Sequence, residues 1–283
     1  MIKLKNNQLT VKVDEVGAEI RSIVCGDTEF MWSGDPAIWS GTAPIMFPIC
    51  GGLKDDKYTF EGKEYTLTKH GFAKKSLFKV ENACETKAVF LLKADQETKK
   101  SFPFDFEFRV VFELEENTLK VNYVVDNKGN NTMYFNVGAH EAYVTPEGIE
   151  DYDVVFDKEV TMNAHNLYGN FLAENTYPII KDSKVLPLYD KYFVVDALPF
   201  TEVSAQAATL RNRKTGRAVR VEFPGFNNLL LWHKHGAGYM CVEPWNGIPD
   251  MPGSSYDITE KKGITSLDAG KTFEISHSIT VTE

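Results

Sequence analysis

From Phe104 to Leu114 the chain alternates. Phe104, Phe106, Phe108, Val110, Phe112 and Leu114 take one parity, while Asp105, Glu107, Arg109 and Glu113 take the other. Successive side chains of an extended chain point to opposite faces, so a two-residue period predicts a strand with one buried face. A polar break at 115–117 follows, and then Leu119, Val121, Tyr123 and Val125 alternate with Lys120, Asn122 and Asp126. Two such runs joined by a short turn predict an antiparallel hairpin.

The same reasoning predicts strands near 9–13, 58–60, 65–67, 89–93, 133–137, 219–223, 229–232 and 273–281. The segments "EGKE", "DNKGNN", "NRKTGR", "PGFNN" and "DAGK" separate them and are rich in turn-forming residues. No window carries an apolar stripe at helical spacing. Many short strands with few helices predict an all-β fold, a large antiparallel β-sandwich with few short helices. No internal repeat, low-complexity tract or linker interrupts the chain, so residues 1–283 are expected to form a single domain.

Composition narrows the partners. Of 283 residues, 43% are hydrophobic and 25% charged, enough apolar material for a sizeable core. The formal net charge of −9 argues against nucleic acid or an anionic membrane, both of which select basic surfaces. A small ligand, neutral or met by local charges, fits better. The first ten residues have no apolar run behind their lysines, and no stretch reaches the ~18 apolar residues of a membrane span. A cytoplasmic protein is expected, as monomer or homodimer. Cys25, Cys50, Cys84 and Cys241 show no CxxC pairing and read as reduced, mostly buried thiols.

Three polar motifs sit at strand edges among aromatics, glycines and prolines: "KHGFAKK" with His70, "GAHEAY" with His140, and "CVEPWNGIPD" with Glu243. Each by itself allows a structural role as readily as a chemical one. No nearby cysteine or second histidine completes a metal set around His70 or His140, so no metal is expected. His233 and His235 form an HxH whose place at a loop entry predicts an exposed hairpin end. His277 shares the apolar parity of the last strand and reads as a core histidine, whereas His165 has no informative context. The Gly pair in "PICGGLKDD" belongs to no phosphate-binding loop, and no GxSxG is present.

In chain order, "APIMFPICGGLKDDKYTFEGKEYTLTKHGFAKK", "FNVGAHEAY", "YDKYFVVDAL" and "CVEPWNGIPD" together resemble the aldose 1-epimerase family, also called galactose mutarotases, and within it the LacX-like bacterial proteins. The resemblance implies the galactose mutarotase-like supersandwich and a cofactor-independent interconversion of aldose anomers. It implies His140 as catalytic acid, Glu243 as catalytic base, His70 as a sugar-binding residue and Asp196 as a hydroxyl binder. Phe72, Tyr143 and Trp245, each beside a motif, are candidate platforms for the apolar face of a sugar ring. Where the family often carries arginine, this chain has Gly52 and Lys74, and Lys54 is a candidate to replace the lost charge. Lysines 54, 57, 69, 74 and 75 also raise the alternative of a hexose 6-phosphate substrate. A binding or sensing protein that lost catalysis is a further alternative, as is a domain related to glycoside hydrolases or lyases.

Overall fold

In a computed structural model covering residues 1–283, the alternating segment folds as its pattern dictates. Phe106–Glu115 pairs antiparallel with Thr118–Asn127, placing Leu114 opposite Leu119 and Phe108 opposite Val125. The apolar parity faces inward and the charged parity outward, where Arg109 bonds Glu81, Glu107 and Asp126. This hairpin is the middle of a nine-stranded antiparallel sheet. Its order is Phe171–Pro187, Tyr152–Tyr168, Ala207–Asn212, Ala218–Glu222, Thr272–Thr282, Thr118–Asn127, Phe106–Glu115, Lys87–Lys93 and Lys79–Ala83.

A second sheet has four strands in the order Glu141–Val144, Tyr239–Trp245, Asn228–Trp232 and Leu198–Thr201. An N-terminal sheet of Ile2–Lys5, Leu9–Val13, Ile20–Cys25 and Thr28–Glu29 adjoins its edge strand through the bridge between Met31 and Tyr143. One continuous cluster of 60 buried residues draws on all three, from Leu4 and Val11 through Phe108 and Tyr123 to Tyr143 and Val242. Large antiparallel sheets closed over one apolar core make the all-β sandwich that the patterning predicts. Helix is confined to Thr98–Ser101 and a few single 3₁₀ turns, and no helix is long and apolar enough to cross a membrane.

The longest strands escape the sequence pattern. Tyr152–Tyr168 and Phe171–Pro187 each run 17 residues, and their pairing is broken by several register shifts. In Tyr152–Tyr168 the even-numbered residues stay buried from Tyr152 to Ala164, but exposed Lys158 interrupts that parity and Asp153 is buried on the other, while Phe171–Pro187 buries only Leu172, Ala173, Ile180 and Leu186, so the alternation is too broken to read. Tyr239–Trp245 hides for the opposite reason: all seven residues are buried, leaving no polar face to alternate against.

The two large sheets are also tied by a polar contact within the core. His277 Nε2 of the C-terminal strand lies 2.9 Å from Glu141 Oε1 of the four-stranded sheet, both residues being buried. His277 is thus a core histidine, as its parity predicts. His233 departs from the exposed hairpin end that was expected. His233 is buried, its Nδ1 2.7 Å from the Tyr239 carbonyl and its Nε2 2.7 Å from Asp190 Oδ1, while exposed His235 meets the other oxygen of the same carboxylate. In an extended chain the two rings share a face, and Asp190 partners both, holding His233 inside while His235 stays exposed as expected.

The core makes a quantitative prediction. Phe108 is fully buried and stacks on Phe47 at 4.4 Å, with Phe78 and Tyr123 also in ring contact. Phe108→Ala is expected to cost about 3–5 kcal/mol, read as a lower midpoint in urea denaturation; a loss under about 1 kcal/mol would contradict this packing.

Candidate active site

The strand Tyr239–Trp245 places the acidic group. It lies between Glu141–Val144 and Asn228–Trp232, with Val242 opposite Glu141 and Glu243 opposite Leu230. One step further along the first of these registers sets His140 across from Glu243, and the Ala139 amide donates to the Pro244 carbonyl at 3.0 Å in continuation of the same ladder. His140 Nδ1 stands 3.4 Å from Glu243 Oε1. Cross-strand pairing therefore brings together two residues 103 positions apart (243 − 140).

The pair forms the floor of a cleft of about 600 Å³. Trp39 stacks on the His140 ring at 5.2 Å, Trp232 meets it edge-on at 5.6 Å, and His70 meets it edge-on at 5.8 Å. His70 Nδ1 accepts the Gly51 amide at 3.1 Å, which assigns the remaining ring proton to Nε2 as a donor. Trp245 packs edge-on against His70 at 5.4 Å and donates its indole N–H to the Ala139 carbonyl at 3.2 Å. The backbone at His70 and Gly71 is left-handed, with φ of 68° at both, and a Cβ on Gly71 would fall 2.3 Å from the Phe47 carbonyl oxygen. Only glycine admits that approach, which turns His70 back toward the cleft.

Burial governs the protonation of this floor. It raises Glu243 well above the usual carboxylate range; Lys69 opposes the rise and the nearby Glu141 charge adds to it. Burial, helped by Lys69, lowers His140 to about 3. His70 is held well below the ordinary histidine value by burial first, then by His140 and Lys69. Burial thus favours the neutral form of both members of the pair. Neutral carboxyl plus neutral imidazole carries the same two protons as carboxylate plus imidazolium. One proton crossing the 3.4 Å gap interconverts the two states without exchange with water.

Of the residues singled out from the sequence, Glu243, His140, His70, Asp196, Trp245 and Lys74 all line this cleft. Three others stand elsewhere. Phe72 packs its ring against Phe47, Phe102 and Phe106 under the cleft wall, because that side of its strand-edge turn faces the core. Tyr143 is fully buried, three residues beyond His140 and therefore on the opposite face of the strand. Lys54 lays its ammonium over the Tyr256 ring at 4.5 Å. Lys74 donates to the Lys69 carbonyl at 2.8 Å, and burial with neighbouring Lys75 and Lys69 lowers it to about 8.

Trp39, Trp232 and Asn170 were missed. Trp39 sits in the loop "GDPAIWSG", where no periodicity marks it, and only its type, a tryptophan among glycines, hints at a platform. Asn170 answers the question raised by Gly52. A Cβ on Gly52 would fall 2.6 Å from the Asn170 Cβ, so the tip of the long hairpin fills the space that an arginine side chain would need to leave the backbone.

Cys241, two residues before Glu243 on the same strand face, adds a third donor. Its Sγ and ligand atoms of His140 and Glu243 all lie within 4.8 Å of one another. Burial raises this thiol well above its ordinary range, with Glu243 and Glu141 adding to the effect, and a thiol held protonated is a poor metal ligand.

A buried carboxyl–imidazole pair thus lies at the bottom of an open, aromatic-walled cleft on a β-sandwich. The sequence profile of the family "Aldose 1-epimerase" matches residues 1–280. The plasmid-encoded protein LacX of Lactococcus lactis subsp. lactis is 31% identical, over 99% of both chains. Among solved structures, a galactose mutarotase related enzyme from Lactobacillus acidophilus superposes with a TM-score of 0.96 at 36% identity, covering 100% of this chain and 97% of the other. A galactose mutarotase-like protein from Lactobacillus casei gives 0.94 at 27% identity over the whole of both chains. The chain belongs to the aldose 1-epimerase family.

The Gly52 contact is testable. Gly52→Ala is expected to displace the hairpin tip and cost about 1–3 kcal/mol, the usual price of overpacking. The readouts are a lowered Tm and faster amide exchange confined to residues near Asn170. Unchanged exchange there would mean that the tip does not rest on Gly52.

Proposed function

We propose that the chain is a mutarotase that opens and recloses the ring of an aldose, with Glu243 as base and His140 as acid. The observation that carries this reading is the buried pair at 3.4 Å on the floor of the cleft. With a sugar bound, Glu243 as carboxylate takes the proton of the anomeric hydroxyl, and imidazolium His140 gives one to the ring oxygen. The C1–O5 bond breaks, leaving an aldehyde, a new hydroxyl, neutral Glu243 and neutral His140. The proton count of the pair falls by one at His140 and rises by one at Glu243, so nothing is drawn from solvent. Rotation about C1–C2 and reversal of both transfers close the ring with the other configuration. The two side chains suffice for each proton step.

The neighbours support the same reading. His70 offers an N–H donor from a ring fixed by the Gly51 amide, and Asp196 offers a carboxylate acceptor to sugar hydroxyls. Trp39 and Trp232 present flat faces to the C–H side of a ring and keep water from His140. Removing either partner is expected to lower kcat by roughly 10²–10⁴-fold, since a positioned acid or base contributes about that much. Anomer exchange followed by NMR in Glu243→Gln and His140→Asn checks this; full activity in Glu243→Gln would overturn the scheme, and a folded wild type that accelerates no sugar would favour a binding protein.

The pH dependence has a definite sign. His140 is lowered to about 3, so the two-proton state of the pair survives as pH falls through the ordinary histidine value near 6.5. Glu243 is raised, so the same state survives above the ordinary carboxylate range. Mutarotation of glucose between pH 4.5 and 6.5, corrected for the spontaneous reaction, is expected to be flat in kcat/KM. A tenfold fall per pH unit below 6.5 would contradict the neutral resting pair.

A second substrate reading rests on charge. Lys69, Lys74 and Lys75 all line the cleft, and none of them is ion-paired with a carboxylate. That favours an anionic sugar such as a hexose 6-phosphate, held by charge-assisted hydrogen bonds. Lys75→Ala is then expected to raise KM for glucose 6-phosphate while leaving glucose unaffected; equal effects on the two sugars would remove this reading.

A further inference from the structure

Asp190 stands six residues before Asp196 (196 − 190) but does not line the cleft. Its carboxylate is taken up by the turn that follows Asn228–Trp232. His233 Nε2 lies 2.7 Å from Oδ1, the Gly236 amide donates to the same oxygen at 3.1 Å, and His235 Nδ1 meets Oδ2. Burial would raise this carboxyl, but the Gly236 amide and His233 outweigh it and hold it below the ordinary range. On its other side, His233 Nδ1 faces the Tyr239 carbonyl at 2.7 Å. Neither a carbonyl nor a carboxylate can donate, so both contacts are hydrogen bonds only when the ring carries both of its protons. The Asp190 carboxylate then offsets that charge next to a buried ring. None of these groups takes part in the anomer chemistry described above.

What this anchor holds is one wall of the cleft. Between the turn Asp190–Phe193 and Leu198, where pairing with Leu231 begins, no backbone hydrogen bond ties Val194, Val195 or Asp196 to another segment. Val194 and Val195 are 64% and 88% exposed, so side-chain packing does not hold them either. Upstream, Phe193 is buried with its ring edge-on to His233 at 5.6 Å. Asp196 is therefore carried between two fixed points, the His233 anchor and the Leu198 pairing. Trp232, which lines the cleft, stands between Leu231 and His233, the two residues on which those points rest. The placement of Asp196 reaches the chemistry as well, because Glu243, raised first by burial, also feels the Asp196 charge.

We propose that Asp190 is a positioning residue for the cleft: bound by His233, His235 and the Gly236 amide, it fixes the segment that carries Asp196. It acts on the grip that Asp196 has on a sugar hydroxyl, while the proton transfers belong to His140 and Glu243. The proposal rests on the mutarotase reading for the role of Asp196. It also gives the HxH pair of His233 and His235 a purpose, since both rings close on one carboxylate.

The test compares wild type, Asp190→Ala and Asp190→Asn in glucose mutarotation followed by NMR exchange. A displaced binding group is expected to raise KM in Asp190→Ala by roughly tenfold, with kcat changed less than about threefold, because Asp190 touches neither His140 nor Glu243. Asp190→Asn keeps an oxygen for His233 Nε2 and is expected to recover most of the rise in KM. An unchanged KM in Asp190→Ala, a kcat that falls while KM stays, or an asparagine variant no better than alanine overturns the proposal. Amide exchange judges the anchor without turnover. Faster exchange at residues 191–197 of Asp190→Ala, with 141–144 and 240–245 unchanged, supports it even if the wild type turns over no sugar, in which case the mutarotase reading fails by itself. Exchange that is unchanged at 191–197, or faster along the whole chain, overturns the anchor, while glucose exchange in the wild type still judges the mutarotase reading.

Discussion

The register of one antiparallel strand pair is the constraint on which the cleft depends. Glu141 stands opposite Val242, and that single alignment sets His140 across from Glu243 and Ala139 across from Pro244. A slip of one residue would send every side chain of the moving strand to the other face. It would exchange His140 for Glu141 at the cleft floor and drive a different ionisable group into the core. The register is protected from both sides, because Tyr239–Trp245 is buried along its whole length and is paired on its other edge with Asn228–Trp232.

Burial then decides what this geometry can do. Water would keep a carboxylate charged and an imidazole near half-protonated, and neither would depend on the other. Out of water, each group prefers neutrality, and the cheapest way to charge one is to charge its partner with the same proton. The lysines near the mouth act on this balance from a distance. Lys69 favours carboxylate at Glu243 while disfavouring imidazolium at His140, so its two effects oppose each other on any proton passed between them.

Much of this was legible in the sequence, and the parts that were not share physical reasons. The central hairpin was plain because one of its faces is wet, so Phe106–Glu115 wrote its burial as alternation. Tyr239–Trp245 has no wet face, and Pro244 within it reads as a strand breaker, so only its first half could be seen as an apolar run. Resemblance carried His140, Glu243, His70 and Asp196 to one place, where spacing alone left each open to a structural role. It could not place Trp39 or Asn170, which come from a loop and a hairpin tip whose positions follow from tertiary packing. Phe72 and Tyr143 show the limit of proximity along the chain: both are near a motif, and both point into the core.

The contact between His277 and Glu141 has a consequence for how this protein changes over generations. The two residues sit 136 positions apart, beside His140 at one end and in the last strand at the other. Replacing either alone strands a polar partner in the core, at a cost of about 1–3 kcal/mol for a buried group left without its hydrogen bond. That is a large share of the 5–15 kcal/mol by which a typical fold is stable. Lineages that descend from this chain are therefore expected to keep both residues or to lose both, so that the position following His140 and a site in the last strand are inherited as a unit.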